Sequence, residues 1–182
     1  VSGDVGVGNA LKDVNSGVTG TTSTFNGTVN SQNVTNTGTG ATTFQDNVTA
    51  TNVNVNAGTS TFQDNLTATT TTITTGTGNF NTVSGTTTSN LQFTDNGTAN
   101  LNNGLTGNVT TTADNKGTLN LVGSSNQTVT GQVGASGASL AEVNAGANGS
   151  TSTFANDVYA TNTNIGSGRV DFNTVSGITN TN

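Results

Sequence analysis

A unit of nine residues, Thr-Phe-Gln-Asp-Asn-(Val/Leu)-Thr-Ala-Thr, occurs twice in this chain, starting at Thr43 and at Thr61. Its aromatic residue returns once more, so that Phe44, Phe62 and Phe80 lie 18 residues apart. Self-similarity at a fixed period of this length is typical of a solenoid, in which each repeat packs only against its two neighbours. This repeat limits the possible folds more than any local motif does.

Each unit reads as three short strands separated by turns. In one unit the strand-like alternation occurs at 42–44, 48–50 and 53–55, and the turn cluster Gln45-Asp46-Asn47 separates the first two segments. Alternation with period two places one face of a strand inward, and the β-branched Thr and Val suit a pleated surface. We therefore predict an all-β fold, a right-handed parallel β-helix (solenoid) with about 18 residues per three-stranded coil and about 4.8 Å between coils.

The phase of this repeat can be followed beyond the two copies of the unit. It predicts ladders of buried apolar residues, and the block 62–85 recurs at 154–177, an offset of 92 residues. Because residues at the same phase of a solenoid lie above one another, the phenylalanines are predicted to form a buried aromatic stack. The predicted ladders are Ile73, Leu91, Val109 and Val83, Leu101, Leu119, and the predicted stack is Phe25, Phe44, Phe62, Phe80, Phe154 and Phe172.

One segment departs from the repeat. We interpret 1–182 as a single β-solenoid fragment, in which the Gly- and Ser-rich residues 123–150 form an irregular coil or an excursion from the stack. Within that segment, Ser139 to Glu142 has the spacing of a helix capping box, and Gly146 is a suitable end for one helical turn. A single turn of helix is therefore a further expectation at this point.

The composition disfavours several classes of function. Charged residues make up 7% of the 182 residues, the net charge is −6, and His and Cys are absent. So few Lys and Arg disfavour binding to nucleic acid and to anionic membrane surfaces, and the lack of Cys excludes disulfides and thiolate metal sites. Neither catalysis nor a cofactor is expected.

Two aspartates are the candidates for a catalytic or metal site. Asp46 and Asp64 occupy equivalent corners, and stacked carboxylates about 5 Å apart are close to the geometry of a retaining glycosidase. Oxygen ligands at such corners also suit calcium. We favour their interpretation as turn residues, because Asp stabilises turns by hydrogen bonds to its own backbone.

Threonines in alternate positions give the sharpest functional hypothesis from the residues alone. Thr-x-Thr pairs of adjacent units are predicted to project outward from the same strand, as in the flat threonine grids that ice-binding β-helices use. In the late copy of the block the aligned positions are Tyr159 and Thr161. The candidate outward binding face is Thr49, Thr51, Thr67, Thr69, Tyr159 and Thr161.

Motifs in the second half of the chain resemble a known family. The stretch from Gly117 to Gly146, GTLNLVGSSNQTVTGQVGASGASLAEVNAG, and the stretch from Ser89 to Thr111 resemble the passenger regions of the rickettsial surface cell antigens, the outer membrane protein A and B group of autotransporters. The resemblance implies a β-solenoid passenger at the cell surface or in the extracellular space, which mediates adhesion to a host-cell surface receptor.

Two alternatives to adhesion stay open. A solenoid fragment has unpaired strand edges at its ends, so that end-to-end self-association into a homo-oligomer, filament or sheath is one alternative, and ice binding by the threonine array is the other. A nucleic-acid partner and a cytosolic membrane partner are not expected. For adhesion, binding is predicted at an extended lateral face or at the segment 123–150, since loops carry function more often than the elements that they connect.

Overall fold

The computed structural model describes residues 1–173, which form 18 β-strands and, within that range, no helix. None of its elements is therefore a helix long and apolar enough to cross a membrane. The first nine strands are β1 Leu11–Ser16, β2 Thr22–Phe25, β3 Val29–Asn36, β4 Ala41–Phe44, β5 Val48–Val55, β6 Thr59–Phe62, β7 Leu66–Ile73, β8 Thr77–Phe80 and β9 Thr87–Phe93. The others are β10 Thr98–Leu101, β11 Leu105–Thr106, β12 Val109–Thr111, β13 Lys116–Leu121, β14 Gln127–Val129, β15 Leu140–Ala145, β16 Thr151–Phe154, β17 Ala160–Ile165 and β18 Arg169–Phe172.

The strands belong to two sheets that face each other across the core. One sheet has ten strands, in the order β1-β3-β5-β7-β9-β11-β14-β16-β18 with β12 also paired to β9, and the other has eight, in the order β17-β15-β13-β10-β8-β6-β4-β2. The chain passes back and forth between the sheets, so that parallel strands stack in about nine coils, about 19 residues apart. The predicted all-β parallel solenoid is confirmed.

The long strands of the early coils bend at their middle. In β5, Val48, Val53 and Val55 are buried while Thr51 is exposed, so the inward alternation changes phase around Thr51. The pairing between β3 and β5 likewise passes over Thr51 and its neighbour Gln32. A coil therefore presents three inward-facing runs, as the sequence predicted, although hydrogen bonding joins two of them into one strand.

Coil length increases after Phe80, and this changes the stacking partners. Phe80 pairs with Leu101, and Leu101 pairs with Leu121. The predicted ladder of Val83, Leu101 and Leu119 is wrong, because Val83 is 74% exposed in the turn that lengthens this coil.

The same extra residues change the other predicted ladder. Ile73 pairs with Phe93, whereas Leu91 pairs with Thr71 on one side and with Val109 on the other. Only the step from Leu91 to Val109 therefore keeps the predicted 18-residue register.

The phenylalanines form two stacks where one was predicted. The rings of Phe25, Phe44, Phe62 and Phe80 stack along the eight-stranded sheet, with successive ring centroids 5.1, 5.0 and 5.4 Å apart. Phe154 and Phe172 stack at 5.5 Å in the ten-stranded sheet. The two groups are separate because the short strands, which belong to the eight-stranded sheet in the early coils, belong to the ten-stranded sheet in the late ones.

The segment 123–150 contributes strands to both sheets. Its β14 lies between β11 and β16, and its β15 lies between β13 and β17. The predicted helical turn is wrong, because Leu140–Ala145 is a strand whose Leu140 and Val143 enter the core. Parallel pairing with β13 favours the strand here, since it satisfies backbone groups from Leu140 to Asn144. The predicted echo at 174–177 lies outside the described residues.

Candidate functional site

A row of exposed threonines runs along the ten-stranded sheet. The strand pairing places Thr67 beside Thr49 on one side and beside Thr88 on the other, and Thr88 beside Thr106. Thr130 continues the row, because its N–H donates to Leu105 O and its Oγ1 accepts from the N–H of Gly107. We call this row and its neighbours the threonine face, which consists of Thr49, Thr51, Thr67, Thr69, Thr88, Thr106 and Thr130.

The second column of this face ends at Thr69, because a register shift between β7 and β9 pairs Asn90 with Thr70. Asn90 donates from Nδ2 to the carbonyl oxygen of Thr69, at 3.4 Å. The Oδ1 atoms of Asn90 and Asn108 then accept from backbone N–H groups one coil further on, those of Asn108 and Gln132, at 3.0 and 2.9 Å. These bonds fix the corner of each coil beside the threonine row.

The threonine face is extended and uncharged. Its five-membered row spans four coil spacings, about 19 Å at the usual strand separation, and all of its side chains are exposed. The nearest aspartates in the chain belong to the preceding turns, where Asp46 accepts hydrogen bonds from the backbone and side chain of Asn47. Among residues 1–173, no three His, Cys, Asp or Glu side chains come together in a group that could hold a metal ion.

Tyr159 and Thr161 do not join the threonine face. The four predicted threonines of β5 and β7 lie side by side on the ten-stranded sheet, whereas Thr161 belongs to β17 of the eight-stranded sheet and Tyr159 directly precedes it. The sequence alignment at an offset of 92 residues fails here because β16, which carries Phe154, has changed sheets relative to β6.

Tyr159 and Thr161 instead line an open cavity of about 430 Å³ at a corner of the solenoid. Three successive coils contribute to it: the turn at Asp114, the segment 135–139, and residues 159–161. The backbone of Tyr159 is held on both sides, since its N–H donates to Val133 O at 2.7 Å and its carbonyl accepts from Leu140 N–H at 3.0 Å. The position of the tyrosine is thus set by the coil stack.

The carboxylate of Asp114 at this cavity is held by Ser139. Asp114 Oδ1 accepts from the Ser139 hydroxyl and from its backbone N–H, the latter at 2.9 Å. These two hydrogen bonds lower the pKa of Asp114 below the usual value for an aspartate, and the bond from the Ser139 hydroxyl has the larger effect. The side chain therefore presents a fixed negative charge to the cavity at neutral pH.

A second lateral face was not predicted from the sequence. On the eight-stranded sheet, five asparagines of successive coils stack in register, and each of the last four donates from its amide to the amide oxygen of the preceding coil. A column of threonines lies beside the first three, and Glu142 and Asn162 occupy the same column in the last two coils. The Nδ2–Oδ1 distances are 2.8 Å for Asn100 to Asn79, 2.7 Å for Asn120 to Asn100, 2.7 Å for Asn144 to Asn120 and 2.8 Å for Asn164 to Asn144. We call this surface the asparagine face, with Thr59, Thr77, Thr98 and Thr118 as its second column.

The pattern of the asparagine face is present in the sequence. The triplet Thr-x-Asn precedes the inward residues Phe80, Leu101 and Leu121. A strict 18-residue period hides it, because the coils that separate these residues contain 21 and 20 residues. The same triplet also precedes Leu91 and Val109 of the ten-stranded sheet, so the triplet alone does not identify this face.

Loss of one amide from the stacked asparagines of the asparagine face should measurably lower the stability of the chain. Replacing Asn120 by Ala removes one hydrogen bond that its amide donates and one that it accepts, and should lower the free energy of unfolding by about 1–2 kcal/mol. Thr118, two residues earlier on the same face, is the matched control, for which replacement by Ala should cost less than about 0.5 kcal/mol. Urea denaturation measures both, and equal costs would show that the amide column contributes nothing to stability.

Comparison with family models, with curated protein sequences and with solved structures found no match to this chain.

Proposed function

We propose that this chain is an adhesive β-solenoid module of a cell-surface or extracellular protein, and that it binds a host-cell surface through the threonine face. The observation that carries this proposal is the continuity of that face, which keeps an exposed threonine in five coils from Thr49 to Thr130 although coil lengths vary. The resemblance of the stretch Gly117 to Gly146 to rickettsial passengers supports the same function.

The side chains of the threonine face are suited to contact with a partner over an extended uncharged surface. Threonine presents a hydroxyl and a methyl group on a side chain that is stiff at χ1, so that little conformational entropy is lost when the face is covered. Parallel pairing fixes the spacing of the row along the solenoid axis.

The proposal is tested with a charge placed at the centre of the face. The purified, fluorescently labelled chain should bind to cultured animal cells, and Thr67→Glu should reduce this binding about tenfold or more, because the buried charge would lack a partner. The matched control is Thr98→Glu, which places the same charge on the asparagine face and should leave binding unchanged.

Two results would contradict the proposal. One is binding of the wild-type chain no stronger than that of an unrelated β-helix. The other is equal binding by the Thr67→Glu and Thr98→Glu variants, which would show that the threonine face does not contact the cell. Thermal unfolding of both variants checks that each remains folded.

The regular threonine row also favours a second candidate function, ice binding. Thr49, Thr67 and Thr88 occupy adjacent strands of one parallel sheet, so their spacing repeats with the strand separation of about 4.8 Å. Ice-crystal shaping and thermal hysteresis measure this activity, and Thr67→Glu should abolish both. Ordinary ice growth in the presence of the wild-type chain would exclude it.

A further inference from the structure

The cavity at Tyr159 has a wall that does not follow the solenoid. Ala135 and Ala138 exchange backbone hydrogen bonds of 3.0 Å in both directions, and this bridge is the one antiparallel pairing among residues 1–173. The two residues between them, Ser136 and Gly137, are exposed. The segment is therefore a tight hairpin outside the parallel stack, and Ala135, Ser136 and Gly137 form one wall of the cavity.

The polar groups of the cavity come from three different coils. Asp114 and Asn115 precede β13, Ser139 precedes β15, and Tyr159 precedes β17. Parallel stacking places these corners above one another. A carboxylate, an amide, hydroxyl groups and one aromatic ring, the only tyrosine of the chain, thus share a single cavity.

The charges around the cavity limit the ligand. No Lys or Arg is among the residues that line it, and the nearest lysine in the chain, Lys116, places its Nζ 2.8 Å from Asp95 Oδ1. The carboxylate of Asp114 therefore disfavours phosphate, sulfate and other anionic ligands. A single carboxylate is also too few oxygen ligands for a cation such as calcium, which takes six to eight.

We propose that this cavity binds a neutral saccharide. A carboxylate that is already oriented by Ser139 is a strong acceptor for sugar hydroxyl groups, while Asn115 and Thr161 supply weaker polar contacts. The ring of Tyr159 offers an apolar surface for the C–H face of a pyranose. A volume of about 430 Å³ falls within the range of small-ligand sites. The cavity lies apart from the threonine face, so this inference goes beyond the proposed function and does not rest on it.

The test is a printed array of neutral and sialylated oligosaccharides, probed with the fluorescently labelled chain in buffer that contains EDTA. The wild-type chain should bind neutral glycans. Tyr159→Ala and Asp114→Asn should each weaken that binding about tenfold or more, as expected for loss of an aromatic contact or of a charge-assisted hydrogen bond. Asp114 is exposed, so that Asp114→Asn remains informative if Tyr159→Ala fails to fold.

Thr67→Glu is the control outside the cavity and should leave glycan binding unchanged. The proposal is overturned if no glycan is bound, if only sialylated glycans are bound, or if both cavity variants bind as the wild type does. Because Thr67→Glu is expected to affect binding to cells and the cavity variants binding to the array, failure of one proposal can be distinguished from failure of the other.

Discussion

Replacing Phe62 by Ala is expected to lower the free energy of unfolding by about 3–5 kcal/mol. The ring of Phe62 is 1% exposed and stacks between those of Phe44 and Phe80, with centroids 5.0 and 5.4 Å away. Its removal leaves a cavity in the middle of the stack that neither neighbour can fill, because the backbone ladder fixes the spacing of the coils.

Denaturation in urea, followed by the circular dichroism of the β-sheets, measures this loss. Replacement of the outward Thr67 by Ala serves as the control, and should cost less than about 0.5 kcal/mol. Similar losses for the two variants would contradict the assignment of inward and outward residues. Since a solenoid coil contacts only its neighbours, a broadened transition in the Phe62 variant would indicate that the two halves unfold separately.

Replacing Gly117 by Ala is expected to cost about 2–4 kcal/mol, from left-handed backbone strain and overpacking together. Gly117 lies in β13 with φ +77°, and a Cβ atom there would lie 2.2 Å from Cγ of Phe93. Phe93 is fully buried, so its ring can give way only by shifting within the core.

Gly137 provides the matched control for this change. It has the same φ of +77°, but no atom lies within 4 Å of the place that a Cβ would occupy. Gly137→Ala therefore measures the backbone cost alone, about 1–2 kcal/mol, and the difference between the two variants, again from urea denaturation, gives the cost of the contact with Phe93. A Gly117 variant as stable as the Gly137 variant would show that the contact is relieved at no cost.

The architecture could be predicted because the sequence pattern that produces one coil recurs along the chain. The recurrence of Phe44 at Phe62 and Phe80, with alternating residues around each, has a single consistent solution in which parallel coils bury one face. The register beyond Phe80 could not be predicted in the same way, because the exposed segment around Val83 adds residues, and the apolar Val83 stands at the 18-residue phase of an inward residue although it is exposed.

The candidate sites were predictable to different extents. Thr49 and Thr67 fall within the near-identical units, so their common face follows from the repeat. The place of Tyr159 depends on which sheet contains the strand before it, and β16 belongs to the ten-stranded sheet although its sequence matches that of β6 in the eight-stranded sheet. The cavity in addition needs three corners from distant parts of the chain, which no local pattern relates.

The variation in coil length has a consequence for how such a chain can change. Successive coils here contain 18 residues at Phe62 and Phe80 but 24 between Leu119 and Val143, and the strands on either side still pair in register. The corners accommodate the extra residues. Neither the pitch of the stack nor the contacts between more distant coils depend on the length of a corner, because each coil packs only against its neighbours. Insertions at corners such as the one at Ser136 can therefore give the surface new shapes one coil at a time, while the axis of the molecule and its core remain as they are.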